Sequence, residues 1–540
     1  MRGRKRVAVE VVVGLALLVV SSLALAPLVG MAGAAEAGKV IRVGLWSAPG
    51  SLSAINADSS YGYFVVHFIY DSLVEMRPDM SFRPRLARSW EISADGRTYT
   101  FHLDPRATWH DGRPITAEDV RFTIETIATP GVQTNRGNAI KSIEGLDANG
   151  KKMGATIPGV RVIDAHTIAI TTKTAVDPAR FLEQFGTGVF VIPKHLLEGL
   201  SPEQLARADA LLRPTVGSGP FRFVRYVTDQ YVELERYDHY YRGPARVDRI
   251  LIRIAPAPSI AAALINGEID VVAGPGIGEV PLQDWELVKR AAHLRPVTEP
   301  SLGYQFLAIN HARPYFQDVR VRRAIAMAVD VDLMVQQLYK GQAVRARGPF
   351  SPVTPYENRD LDPIPHDPAA ARALLSQAGW ERGRTVELLV PTGNTLREQT
   401  AAIIQANLQA VGMQVRIQRL DFPTVLSRVF SDDFDLVVLG WTDTFDPDHV
   451  SSTFRTGGQY NLSNFSDPEV DALIDAAAAE RDPARRKELY DRLQVLFQER
   501  VPAVFLYYPN MLAAVNVRLV DADPSIVPFE FRASEWDVRP

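Results

Sequence analysis

The chain of 540 residues contains no cysteine. That removes disulfides, thiolate metal sites and cysteine nucleophiles together, along with the lipidated cysteine that tethers many exported proteins, so stability has to come from packed cores. Basic blocks are missing after the first few residues, and the net charge is −4. Four basic and two acidic residues fall within residues 1–37, which leaves −6 on the remainder and gives no footing for nucleic-acid binding. No H-E-x-x-H, G-x-S-x-G or Walker A sequence occurs, and the ten histidines are scattered without metal-ligand spacing. These absences weigh against a hydrolase in which a carboxylate pair such as Asp443 and Asp446 supplies the acid and the base. Neither a metal nor a cofactor is expected.

Long apolar runs are also lacking, except at the N-terminus. There, residues 2–6 (RGRKR) are basic, residues 11–26 (VVVGLALLVVSSLALA) are apolar, and Ala35-Glu36-Ala37 offers a small-residue cleavage site. This is the order of a secretory signal, so 1–37 is expected to be a signal peptide, with an uncleaved anchor as the alternative, and the remainder to be periplasmic.

The length exceeds one core, so two or three domains are expected. Thr98–Leu103, Phe221–Val227 and Tyr231–Arg236 alternate like strands, and a helical stretch is expected around "VVHFIYDSLVEM". Thr116 with Asp119 forms a capping box. His110-Asp111 and the run Gly217-Ser218-Gly219-Pro220 are turns, the latter because a strand and not a helix follows it. In the C-terminal half, three helices open on Asp-Pro, at Asp367, Asp467 and Asp482, and Gly379 closes the first of them. The strands Thr385–Val390, Met413–Arg419 and Phe434–Gly440 lie between helices, which predicts an α/β domain around a largely parallel sheet. Two extended segments, 303–311 (GYQFLAINH) and 503–509 (AVFLYYP), are the candidate crossings between lobes.

Three carboxylates, Asp443, Asp446 and Asp448, stand directly behind the apolar run 434–440 (FDLVVLG). Charge at the end of a strand buried on both faces opens onto a cleft, a turn or a metal. In α/β sheets, ligands sit beyond the carboxyl ends of the strands.

Several separated blocks, "LARSWEISADGRTYTFHLDPRATWHDGRPITAEDV" (86–120), "GSGPFRF" (217–223), "DVRVRRAIAMAVD" (318–330), "DPAAARALLSQAGW" (367–380) and "SDPEVDALIDAAAAERDPARRKELYDRLQ" (466–494), closely resemble, in this order, the family 5 extracellular solute-binding proteins. Those are the dipeptide-, oligopeptide- and nickel-binding components of bacterial ABC importers. The resemblance implies a two-lobed α/β periplasmic-binding-protein fold with an extra α+β subdomain and a hinge of extended crossovers. Lobe I would comprise 38–58, 213–303 and 510–540, with the subdomain at 59–212 and lobe II at 304–509. It implies a monomer that captures a peptide or similar small solute and delivers it to ABC permease subunits in the inner membrane, without chemistry on the ligand. An oligosaccharide or a nickel chelate is the alternative ligand.

In peptide-binding relatives, an Asp three residues before an acidic-Pro pair holds the ligand's α-ammonium. Here the resemblance puts Asp443 in that role, ahead of Asp446-Pro447, although the segment from Trp441 is one residue shorter than in the dipeptide binders. Asp446 and Asp448 are then a turn acid and a helix cap. Arg397, following the strand Thr385–Val390, is the candidate cation for the ligand's carboxylate, and Tyr61, Tyr63 and Trp441 are candidate walls.

Overall fold

The computed structural model describes residues 38–57, 59–442, 445–527 and 529–539, without the side chains of Phe529 and Phe531. The expected signal peptide and Asp443 lie outside the described residues.

The strand Leu436–Gly440 shows how the sequence builds the larger sheet. Leu436 and Val438 pack into one core with Leu307, Leu388 and Val390. Val437 and Leu439 pack into another, on the opposite face, with Phe306, Ala308 and Leu389. Burial on both faces is what the continuous apolar run demands, and each such side chain contributes about 1.5–3 kcal/mol. The neighbouring strands Thr385–Pro391 and Gln414–Leu420 pair in parallel, and Thr385–Pro391 is also parallel to Leu436–Gly440. The expected parallel core of this half is therefore present. Its remaining neighbour, Gln305–Ile309, runs antiparallel.

Among the described residues, twelve strands join in one mixed sheet. The strand Ala503–Asn516, of 14 residues, runs through both of its halves. Its first part pairs with Gln305–Ile309 and Ala343–Arg345. Its second part pairs with Leu294–Pro300 and Val271. Beyond Val271–Val272 the sheet continues through Val40–Leu45, Arg249–Ile254, Tyr231–Arg236 and Phe221–Val227, the first two of these in parallel. The two segments read as crossings are thus adjacent strands of one sheet, and the second extends further than 509. A separate antiparallel sheet, in the order Ala87–Ile92, Thr98–Leu103, Thr167–Thr171, Val160–Asp164, carries the helix Ala117–Ala128 against it.

Local signals hold. The capping box joins Thr116 N–H to Asp119 Oδ2 at 2.9 Å. Asp367, Asp467 and Asp482 each accept first-turn amides, at 2.9–3.0 Å, 2.9–3.2 Å and 2.9 Å, caps that each contribute about 1 kcal/mol. Gly379 is left-handed, with φ +67°. His110 and the turn 217–219 prove to be one unit: Gly217 N–H donates to His110 Nδ1 at 3.0 Å, and His110 Nε2 meets Gly219 O at 2.9 Å.

One expectation is corrected. The helix expected around 65–76 spans Ser60–Ile69, and Val74–Met76 is a strand paired with Phe82–Pro84. Asp71 ends the helix because it is drawn into the core by Arg85, at 2.6 Å, and by the hydroxyls of Tyr240 and Tyr241. A carboxylate with no exposure needs those partners more than the chain needs another helical turn.

Candidate functional site

Trp441 leaves the end of Leu436–Gly440 with its N–H bonded to Tyr304 O at 2.9 Å. Its ring lies parallel to Phe306, with centroids 5.9 Å apart and planes 10° apart, and meets Tyr460 edge-on at 5.7 Å. Two glycines make this placement possible. A Cβ on Gly303 would stand 2.1 Å from Trp441 O, and one on Gly440 would stand 2.1 Å from the Gln305 amide nitrogen.

That Gln305 side chain links Trp441's strand to Arg397. Arg397 sits in the first turn of Thr395–Ala410 and donates from Nε to Gln305 Oε1 at 3.1 Å. It is half-buried, and burial draws its pKa down while the nearby Tyr507 and Tyr339 oppose this. Among the described residues no carboxylate pairs with it. Arg397 and Trp441 are therefore brought together at one set of strand ends.

Tyr61 and Tyr63 are on the helix Ser60–Ile69, which packs beside the strand Phe221–Val227 in the other half of the sheet. Tyr61 is half-buried against the main core. Tyr63 lines a pocket of about 400 Å³ with Ser59, His67, Asn135, Arg136, Ile277 and Glu530. The pocket adjoins the carboxyl end of Val40–Leu45, since Trp46 N–H donates to Ile277 O at 2.7 Å. Tyr63 donates its hydroxyl to Gly188 O at 2.6 Å, and burial pushes its pKa up to about 12. Among the described residues no hydrogen bond or ring contact joins Tyr61 or Tyr63 to Arg397 or Trp441.

Asp446 Oδ1 accepts from Asp448 N–H at 3.1 Å, as a turn acid should, but Asp448, at the N-cap position of His449–Thr453, makes no side-chain capping bond, and both acids have other partners. Asp448 Oδ2 accepts from Arg180 Nη1 at 2.7 Å, and Asp446 is 3.5 Å from Arg180 Nε. Asp446 Oδ1 also accepts from Arg486 Nη2 at 3.1 Å, while Arg486 Nη1 lies 3.2 Å from Asp177. The cluster ties the segment carrying Asp177 and Arg180 to the turn behind Leu436–Gly440. Nearby, Arg481 donates to Asp95 O at 3.1 Å. Sequence reasoning missed these partners, for which only the acid-rich turn gave a signal.

Glu183 belongs to the same contact. Burial, then the negative charge of Asp446, pushes its carboxyl up to about 7 against the pull of the Phe445 amide and Arg180. A carboxyl whose folded pKa is raised favours folding below its unfolded pKa and loses that contribution as the pH climbs through the folded value. The advantage of Glu183→Gln over the native chain in urea-unfolding stability is therefore expected to be larger at about pH 8 than at about pH 5. An equal difference at both pH values would place Glu183 in water.

Two half-sheets sharing one strand, each offering strand ends lined by aromatic and cationic side chains, define a two-lobed ligand-binding protein of the α/β class. The family model for bacterial extracellular solute-binding proteins, family 5, matches residues 81–461, and the chain belongs to that family. A protein of Brucella melitensis, whose name assigns it to ABC-transporter peptide binding, is 28% identical over 545 residues, covering 95% of this chain and 96% of its own. The dipeptide-binding protein of Escherichia coli K12 is 28% identical over 474 residues, covering 83% and 85%. The crystal structure of the ABC transporter substrate-binding protein CtaP from Listeria monocytogenes matches with a TM-score of 0.78 at 25% identity, covering 93% of this chain and all of that one. The family consists of extracellular solute-binding proteins, and among the described residues no helix is long and apolar enough to cross a membrane.

Proposed function

We propose that this chain is the ligand-capturing component of an ABC importer, exported to the periplasm by its N-terminal segment. It closes on a peptide between two lobes and presents the closed form, as a monomer, to the membrane permease subunits. No chemistry is done on the ligand. The observation that carries the reading is the similarity, along 95% of the chain, to a protein named for ABC-transporter peptide binding. In this reading lobe I is 38–58, 213–303 and 510–540, the extra subdomain is 59–212 and lobe II is 304–509. Asp443 holds the ligand's ammonium, Arg397 its carboxylate, and Trp441, Tyr61 and Tyr63 form the walls. The strand-end placement of Arg397 and Trp441 supports this, since an incoming carboxylate would give Arg397 the charged partner it lacks among the described residues.

A thermal-shift screen of the purified protein against dipeptides, tripeptides, β-linked oligosaccharides and nickel chelates tests the proposal, because a ligand of the native state raises the melting temperature by mass action. Stabilisation by peptides is expected. Stabilisation only by sugars or chelates would overturn the ligand class, and turnover of a peptide would overturn the binding role.

A further inference from the structure

The loop that carries Arg136 is pinned to the rim of the pocket around Tyr63. Thr134 Oγ1 donates to Ile55 O at 2.6 Å, the Asn135 amide donates to Ala57 O, and Arg136 N–H returns to Thr134 Oγ1 at 3.0 Å. The guanidinium lies flat on Tyr63, its carbon 3.4 Å from the ring centroid, and that ring is itself fixed by its bond to Gly188. A planar cation stacked on an aromatic face keeps its edge, with its N–H donors, directed away from the ring.

Nothing among the described residues uses those donors. Arg136 Nε is buried with no hydrogen-bond partner, and among the described residues no carboxylate forms an ion pair with the side chain. Arg121, Arg222 and Arg347 also have a buried Nε without a partner, but each holds a glutamate, Glu118, Glu235 and Glu357 respectively, at 2.6–2.9 Å. Arg136 is the exception, and a desolvated guanidinium with unspent donors is costly unless something else fills the gap.

We propose that Arg136 is the anion-binding arm of a second subsite, in the pocket walled by Tyr63 and floored by Glu530, that takes a carboxylate of the captured ligand. The inference rests on the peptide-capture reading and adds to it a requirement for a carboxylate on the lobe opposite Arg397. The pocket's volume of about 400 Å³ admits a side chain or a peptide terminus, and Ser59 and Asn135 line it as further polar groups. Glu530 does not oppose an anion at neutral pH. Burial pushes its carboxyl up to about 8 against the pull of Arg85, which favours its neutral form. Its neighbour His67 lies 3.4 Å away, and burial pulls the pKa of that imidazole down to about 3.

The carboxylate has two sources, an acidic side chain or the peptide C-terminus, and paired probes separate them. Calorimetry would compare Ala-Glu-Ala with Ala-Gln-Ala, and Ala-Ala-Ala with its C-terminal amide, on the native protein and on Arg136→Gln. In one pair the carboxylate is expected to bind the native protein roughly 10- to 100-fold more tightly than the amide. Arg136→Gln should erase that ratio while leaving the melting temperature and the other pair's ratio unchanged. If both ratios survive in the variant, the subsite is wrong and peptide capture stands. If no tripeptide binds either protein, peptide capture falls. The subsite is then judged by succinate against succinamide: stabilisation by succinate alone, lost in Arg136→Gln, upholds it, and any other response overturns it.

Discussion

Arg486→Met is expected to lower the unfolding free energy by about 3–5 kcal/mol, because it removes one partner from a buried ion cluster and leaves the others uncompensated. The side chain of Arg486 is 4% exposed. Its guanidinium donates to Asp446 at 3.1 Å and to Ala477 O at 3.2 Å, and it reaches Asp177 at 3.2 Å. The rings of Tyr356 and Tyr490 lie 5.7 and 5.6 Å away and keep water from it. Methionine fills much of the same volume, so packing is largely kept and the charge is what is lost. Arg180 also contacts Asp446 and Asp448, but at 40% exposure it offers only a screened substitute, and Arg180→Ala is expected to cost less than about 1 kcal/mol. Urea denaturation of both variants measures the contrast. Combining Arg486→Met with Asp446→Asn and Asp177→Asn should recover much of the loss, since the unpaired charges go with their partner. A midpoint for Arg486→Met equal to that of the native chain would mean the cluster is solvated and does not fasten the 177–183 segment to the turn behind Leu436–Gly440.

That cluster marks the boundary between what the chain shows in its sequence and what it does not. The run 434–440 declares a strand buried on both faces because every residue from Leu436 to Leu439 is apolar, and the two cores take them alternately. The Asp-Pro starts are legible for a similar reason: cap and capped amide are two or three residues apart, so the information is local. Arg180 and Asp448 are 268 residues apart, and nothing at either position names the other. The misplaced helix end has the same origin. "FIYDSLVEM" carries no glycine or proline to stop a helix, and the stop comes from Arg85, 14 residues on, claiming Asp71. The placement of Arg397 and Trp441 at strand ends was legible, because each follows its strand within a few residues in the chain. Arg136 was not, because "QTNRGN" reads as an ordinary polar loop, and its stacking on Tyr63, 73 positions away in the chain, is a tertiary fact.

Asp443→Ala is expected to weaken binding of a peptide with a free amino terminus by about 2–5 kcal/mol, roughly 30-fold to several thousand-fold, if the ammonium is buried against that carboxylate. The proposed function puts the anchor at Asp443, three residues before Asp446-Pro447 in this sequence. The structure around it narrows the alternatives. Asp446 and Asp448 are committed to Arg486 and Arg180, so an incoming ammonium would have to break an existing ion pair to use either. Trp441, two residues before Asp443, is held by the Tyr304 carbonyl and stacked on Phe306, a fixed aromatic surface at the strand end. Closure of the lobes lowers the effective dielectric around a charge pair, which is why the loss should exceed that of a surface ion pair. Calorimetry with Ala-Ala-Ala and its N-acetyl derivative separates the contributions. The native protein should favour the free amine strongly, and Asp443→Ala should bind both peptides with the affinity the native chain shows for the acetylated one. Asp443→Asn, which keeps the size and a hydrogen-bonding oxygen, should fall between them, because it loses only the charge. Asp446→Ala should instead destabilise the fold while leaving the preference for the free amine intact. If the preference vanishes in Asp446→Ala and survives in Asp443→Ala, the anchor is Asp446, and its ion pair with Arg486 must open when the ligand enters.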